Sequence, residues 1–224
     1  NLSSNNTELD LEDDNLIIKT ANILRSYYPH RNLGANIFLN KNIPIGAGLA
    51  GGSSNAAATL IGLNKLWALN LDQSTLAKFA LKLGSDVPFF LEGGSQYCFG
   101  RGEILEKYRF DSRFFLIILK NPKVSLSTSE IYKKYCDKFQ GTYLSTEMEY
   151  EDKRNNLRSI DFTYDNFLNR RIKIRNDLQK IVQNENKSVS DALTLFSQIE
   201  ECICFSMSGS GPSCYGLFDN YEIA

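Results

Sequence analysis

A single histidine, a single tryptophan and two methionines are all that this chain carries of those residues. A histidine-based catalytic triad has only His30 to rest on. The five cysteines, at positions 98, 136, 202, 204 and 214, form no C-x-x-C pair, so no structural zinc site is expected. Their odd number and scattered placement argue against a disulfide framework and for reduced thiols in a cytosol-like compartment. Cys98, Cys202, Cys204 and Cys214 are expected to be buried as small hydrophobes. Net charge is also missing: 25 basic against 26 acidic side chains leave −1, and no basic field exists to attract nucleic acid or an anionic membrane. The longest unbroken apolar run, residues 114–119, is far short of the roughly 20 residues that span a bilayer. A soluble protein is expected, of one large or two small domains. The chain starts at Asn1 rather than methionine and stops directly after an apparent strand and turn, as a fragment would. Its lack of a leader segment therefore carries little weight.

What the chain has in concentration is glycine. Residues 44–58 read PIGAGLAGGSSNAAA, with glycine at 46, 48, 51 and 52 and serine at 53 and 54, ahead of a run of small helix formers. Glycine admits positive φ and close approach of backbone to ligand. A glycine loop opening onto a helix N-terminus offers unpaired N–H groups and the positive end of the helix dipole, the features that hold phosphate.

Around this stretch the periodicity predicts the following order. Residues 1–10 are polar and looped, and a helix capped by Asp13 or Asp14 presents Leu16, Ile17, Thr20, Ala21, Leu24 and Tyr27 before Pro29 ends it. A strand over 35–39 leads through Lys41 to the glycine loop. Ser53 or Ser54 caps a helix running to about 69, with Leu60, Leu63, Leu66 and Trp67 inward. Asp72 or Ser74 caps the next helix, and Gly84 closes it. Pro88 should hold Val87 out of helical space, placing Asp86 at a helix-to-extended junction among apolar neighbours that would bury it. Two short strands follow at 95–99 and 103–108. A third at 114–119 is expected to be buried on both faces. A domain boundary is placed near Ser112. Beyond it come a helix over 131–138, a polar surface region without clear period over 140–165, helices over 172–184 and 189–199, and strands over 202–207 and 213–218 joined by a tight turn, Ser208-Gly209-Ser210-Gly211-Pro212.

Three phosphate-loop patterns compete for the glycine stretch. Residues 46–51 satisfy G-x-G-x-x-G, and Asp72 falls about where a ribose-binding acid would. That fingerprint, however, needs a strand running straight into its first glycine, and Pro44-Ile45 intervenes. The Walker pattern fails because no lysine precedes Ser53, and the protein-kinase loop would require HRD and DFG signatures that are absent.

The remaining reading is a glycine-serine loop without its own lysine, and here the chain resembles the GHMP kinases. PIGAGLAGGSSNAAA is similar to that superfamily's central loop, and SMSGSGPSCYGLF to its C-terminal glycine motif. LGSDVPFFLEGG, Asp13 and Asn15-Leu16 ahead of the first helix, NPKVSLST and Asn176-Asp177-Leu178 resemble more narrowly the members that phosphorylate a cytidine-diphosphate-linked methylerythritol. Two departures stand out. The family's first motif, a strand with a lysine, should lie upstream of Asn1, and Ala50 occupies a usual glycine position.

The resemblance implies an α+β, two-domain GHMP kinase fold. Residues 1–112 would be a ribosomal-protein-S5-domain-2-like ATP-binding part, truncated, and 113–224 a ferredoxin-like α/β sandwich on the substrate side. It implies ATP with Mg²⁺, a small-molecule substrate carrying cytidine diphosphate, no nucleic acid or membrane partner, and a monomer or weak homodimer in bacterial cytoplasm or plastid stroma. Pro44, Gly46, Ala47, Gly48, Leu49, Ala50, Gly51, Gly52, Ser53 and Ser54 would bind ATP, with Ser54 a candidate for Mg²⁺. Asp86 would be the catalytic base, and Thr128, Tyr132, Gly209, Ser210 and Gly211 would face substrate. Bland readings compete: a capping role for Asp86, core packing for Tyr132, a purely structural hairpin at 209–211. Asn176 and Asp177 are expected to support the fold. A homoserine- or mevalonate-type kinase, or a non-catalytic nucleotide binder, stays open as the alternative.

Overall fold

The computed structural model describes residues 1–110, 113–170 and 172–222. The chain divides into two compact units, Asn1–Ile43 with Ala50–Arg109, and Pro44–Leu49 with Phe110–Ala224. Ser112, the expected boundary, lies outside the described residues. The first half of the glycine loop thus belongs with the second unit. Among the described residues no helix is long and apolar enough to cross a membrane.

In the first unit, β1 (Leu2–Ser4) pairs in parallel with β2 (Ile37–Leu39), Ser3 opposite Phe38. The polar start of the chain is therefore a strand, not a loop. Its pairing is reinforced by polar side chains, which periodicity does not register: Ser4 Oγ donates to the Leu39 carbonyl at 2.9 Å and Asn5 Nδ2 to Asn40 Oδ1 at 2.7 Å. Helix α1 (Leu16–Ser26) is capped by Asn15, whose side chain accepts from the Ile17 N–H, rather than by the preceding Asp13 or Asp14. Helix α2 (Gly51–Leu66) starts before the serines expected to cap it, with Ala50 at the N-cap. Ala56, Ala57, Leu60, Leu63 and Trp67 are buried, but Leu66, assigned to the same stripe, is 63% exposed. The Trp67 indole donates to the Gly34 carbonyl at 3.0 Å, so its one polar atom is satisfied.

Asp72 caps α3 (Gln73–Leu83), accepting from the Thr75 N–H at 2.8 Å. Gly84 ends that helix in extended backbone at φ 168°, and α4 (Val87–Glu92) begins almost at once. This corrects the extended junction expected at Pro88. A proline in the first helical turn loses no hydrogen bond, and its fixed φ suits the helix. Val87 and Pro88 are both buried. Strands β3 (Gln96–Phe99) and β4 (Ile104–Lys107) complete the unit as an antiparallel pair. One core joins Leu24, Ala56, Leu60, Phe79, Ala80 and Val87. Each large apolar side chain so buried contributes about 1.5–3 kcal/mol.

In the second unit, β5 (Phe115–Leu119) is followed by α5 (Thr128–Phe139), α6 (Glu147–Arg158), α7 (Tyr164–Leu168), α8 (Gln179–Glu185), α9 (Lys187–Gln198), β6 (Cys204–Met207) and β7 (Cys214–Phe218). The antiparallel sheet runs β5-β7-β6. β5 is thus an edge among the described residues, with Phe115, Leu116 and Ile118 exposed, rather than a strand buried on both faces. An apolar run alone does not separate the two positions. Helix α6 occupies the region expected to lack regular structure. It buries no residue and is held by a Thr146–Glu149 capping box and by Arg154 bridging Glu147 and Glu151, which leaves no apolar period to read. Helix α8 is shorter than the 172–184 span expected for it.

The second core joins Phe196, Phe218, Met207, Cys214, Val182 and Val189. Cys202 and Cys214 are buried as expected and Cys204 is half-buried, whereas Cys98 and Cys136 are exposed. Cys98 sits in the two-stranded β3–β4 pair, and Cys136 on α5, where only Ile131 is buried. Gly216 on β7 lets the Phe196 ring lie flat against the strand: a Cβ there would stand 2.6 Å from two ring carbons and 3.0 Å from Cys202 Sγ. Gly216→Ala is therefore expected to destabilise the second unit by about 1–3 kcal/mol. Urea unfolding reads this directly, and an unchanged midpoint would show that the ring has room to move.

Candidate active site

The two halves of the glycine loop are built differently. In the second unit, Gly46 and Gly48 both have positive φ, 59° and 71°. A Cβ on Gly48 would strike the Ser208 carbonyl and come within 2.7 Å of the Gly211 carbonyl oxygen, so no other residue fits. Three consecutive carbonyls of this half are taken. Gly46 accepts from the Leu126 N–H at 3.4 Å, Ala47 from the Ser213 N–H at 3.2 Å, and Gly48 from Ser208 Oγ at 2.8 Å. The N–H groups of residues 46–49 donate none of the described hydrogen bonds. With the acceptors of 46–48 engaged and the donors of 46–49 left over, the segment presents the positive side of its peptide dipoles, as an anion-binding nest does.

In the first unit the loop continues as the N-terminus of α2. Ala50 is the N-cap at φ 49°, without a side-chain cap. The N–H groups of Gly51, Gly52 and Ser53 likewise have no described acceptor, and the first helical bond is Ser54 N–H to the Ala50 carbonyl at 3.0 Å. The Ser54 hydroxyl turns back to the Gly51 carbonyl at 3.0 Å, leaving its oxygen lone pairs for another partner.

Lys41 was not singled out from sequence. Its Nζ lies 2.9 Å from where a Cβ on Gly51 would sit. The side chain is half-buried, none of the described ion pairs involves it, and burial pushes its pKa down. A cation beside the positive end of a helix is an arrangement that an anion relieves. The signal available in the sequence was the lysine of Lys41-Asn42-Ile43-Pro44, just ahead of the loop.

Asp86 stands at the N-cap position of α4, with φ −86° and ψ −13°. Its side chain caps no N–H, so the bland capping role does not describe it. It is exposed, not buried as its neighbours suggested, because Val87 and Pro88 turn inward and leave it on the outside. Cys98 lies close enough to feel its charge: burial first, and then Asp86, push that thiol's pKa up.

The other expected residues lie in the second unit. Ser210, buried, shares a 2.9 Å hydrogen bond between its Oγ and Thr128 Oγ1 at the start of α5. Gly209 and Gly211 take positive φ, and the turn closes through the Gly211 N–H to the Ser208 carbonyl at 2.9 Å. Tyr132 is 54% exposed and lines a cavity of about 600 Å³ with Asn176, Asp177 and Gly209, so it is no part of the core. The unit thus brings together the Pro44–Leu49 segment, Thr128, Ser210 and the glycine turn.

Residues 15–94 match the model of the GHMP kinase N-terminal domain. Over the full length of the chain, the protein named 4-diphosphocytidyl-2-C-methyl-D-erythritol kinase of Prochlorococcus marinus strain MIT 9515 is 57% identical, with 72% of that protein covered. This chain belongs to the 4-diphosphocytidyl-2-C-methyl-D-erythritol kinase family of GHMP kinases. The protein of the same name from strain NATL1A is 51% identical over 100% of this chain and 70% of its own length. A crystal structure of 4-(cytidine 5′-diphospho)-2C-methyl-D-erythritol kinase superposes with a TM-score of 0.69 at 25% identity, over 100% of this chain and 75% of that one. Homoserine kinase from Cytophaga hutchinsonii reaches 0.68 at 17% identity over 100% and 73%, a likeness of fold alone. The chain has the α+β GHMP kinase fold, and membership of these kinases implies ATP as phosphoryl donor.

Ala50 is the one non-glycine of the loop held in left-handed backbone. Ala50→Gly is expected to remove strain of about 1 kcal/mol, partly offset by the entropy of the unfolded chain. The net gain, a few tenths to about 1 kcal/mol in a urea titration, would be contradicted by a loss of stability.

Proposed function

We propose that the chain transfers the γ-phosphoryl group of ATP to the 2-hydroxyl of 4-diphosphocytidyl-2-C-methyl-D-erythritol, a step toward isoprenoid precursors that does not pass through mevalonate. The observation that carries this is the run of N–H groups at 46–53 left without acceptors while the carbonyls of 46–48 are occupied, in a chain 57% identical to a protein bearing that kinase's name. Such a run fits a triphosphate, which offers only acceptors, and does not fit a cationic ligand.

In this reading residues 1–112 supply ATP binding and catalysis, and 113–224 the substrate side. Gly46, Ala47, Gly48, Leu49, Ala50, Gly51, Gly52 and Ser53 present backbone N–H groups to the phosphates, Pro44 fixes the entry to the loop, and the α2 N-terminus stabilises charge that develops on them. Lys41 adds the cation that the loop itself lacks. Magnesium would supply further charge neutralisation when bound. In this reading the ion arrives on the nucleotide, with the Ser54 hydroxyl as its protein contact.

Asp86 takes the proton of the substrate hydroxyl as that oxygen bonds to the γ-phosphorus and the bond to the β–γ bridging oxygen breaks, releasing ADP. Thr128, Ser210, Gly209 and Gly211 orient the acceptor, and Tyr132 offers an exposed ring on which the cytosine stacks. Bacterial cytoplasm and a monomer or weak homodimer go with this reading.

Asp86→Asn is expected to lower turnover by about 10²–10⁴-fold while ATP binding persists. Coupled ADP release with cytidine-diphospho-methylerythritol, homoserine and mevalonate as acceptors checks both parts. Near-normal turnover of the variant would remove Asp86 from the chemistry, and release with homoserine or mevalonate alone would overturn the acceptor.

A further inference from the structure

Asn176 lies just ahead of α8, between Arg175 and Asp177, which pair with each other. Its Nδ2 donates to two carbonyls at once, Met207 and Gly209, each at 2.8 Å. Its Oδ1 accepts from the Leu178 N–H at 3.0 Å. Gln179 adds its own amide, Oε1 accepting from the Met207 N–H and from Ser206 Oγ, both at 2.9 Å. Both peptide groups flanking the end of β6 are therefore gripped by side-chain amides.

Ser208 sits between the two carbonyls that Asn176 holds, and it is Ser208 Oγ that takes the Gly48 carbonyl at 2.8 Å. No slack separates turn from loop at that point, since the space a Gly48 Cβ would need is already filled by the Ser208 and Gly211 backbone. A side chain able to donate twice to carbonyls while accepting from an N–H, without net charge, is an amide. Asn176 is half-buried and is not itself a side chain of the apolar core, although it bonds the backbone of two core residues, Met207 and Leu178.

We infer that Asn176 is a positioning residue for the phosphate loop. Its amide sets the glycine turn so that Ser208 occupies the Gly48 carbonyl, which leaves the loop's N–H groups free for phosphate. The inference rests on the reading of residues 46–53 as the ATP phosphate cradle.

The test is the dissociation constant for Mg·ATP, measured by titration calorimetry on the full chain, beside the melting midpoint without nucleotide. Asn176→Asp keeps the shape and the acceptor for Leu178 but turns a carboxylate toward two carbonyls. It is expected to weaken ATP about tenfold or more, with a midpoint shift of only a few degrees. Ser208→Ala, which removes only the bond to Gly48, is expected to weaken ATP about threefold to tenfold. The double variant should be no weaker than Asn176→Asp to within about twofold, since both changes act through one contact. Should Asn176→Asp fail to fold, Asn176→Ser, with one donor left, takes its place, with an expected loss of about threefold. ATP affinity at the wild-type level in a folded Asn176 variant, or losses that multiply in the double variant, would overturn the inference alone. A wild-type chain that binds no Mg·ATP would overturn the phosphate-cradle reading, and the inference with it.

Discussion

The hydrogen bond from the Ser208 hydroxyl to the Gly48 carbonyl is the contact on which the rest of the site depends. A glycine-rich segment has no side chains with which to define its own orientation, and its peptides could as well turn oxygens toward a ligand as N–H groups. Three acceptors in a row are claimed from within the second unit, by Leu126, Ser213 and Ser208. That decides the polarity of the loop, and in the proposed reading the pre-set dipoles are what phosphoryl transfer asks of a protein. In that same reading, residues with no chemistry of their own, such as Asn176, would acquire functional weight because they hold the turn that holds the loop.

Much of this was legible in the sequence because the signals were local. The glycine-serine loop and the turn at 208–212 stand out by residue type and spacing and Asp86 by its place at a helix junction, whereas Thr128 and the role of Asp86 come only from the family resemblance. The sequence could not show that the loop divides between the two units after Leu49, since that depends on carbonyl partners, Leu126, Ser208 and Ser213, far along the chain. Lys41 escaped for a similar reason: an isolated lysine on a polar stretch becomes notable only once its ammonium is found beside Gly51.

The misreadings share a physical pattern. Each arose where polar groups or proline carry the structure and apolar periodicity is silent. β1 is tied by serine and asparagine side chains, α6 by a capping box and arginine bridges, and α4 opens on a proline that was taken for a breaker. The reverse error appears at β5, where apolar residues sit on an exposed edge. Asp86 combines both, because the apolar neighbours that were expected to cover it pack inward and leave the carboxylate in the open.

The way α6 is held has a practical consequence. A helix that buries no side chain and leans on exposed carboxylate–arginine bridges loses part of its support as salt screens those pairs, whereas the two apolar cores do not. It belongs to the low end of the chain's local stability. Limited proteolysis at high ionic strength is therefore expected to cut within Glu147–Arg158, leaving a nicked second unit whose two pieces stay paired through β5 and β7.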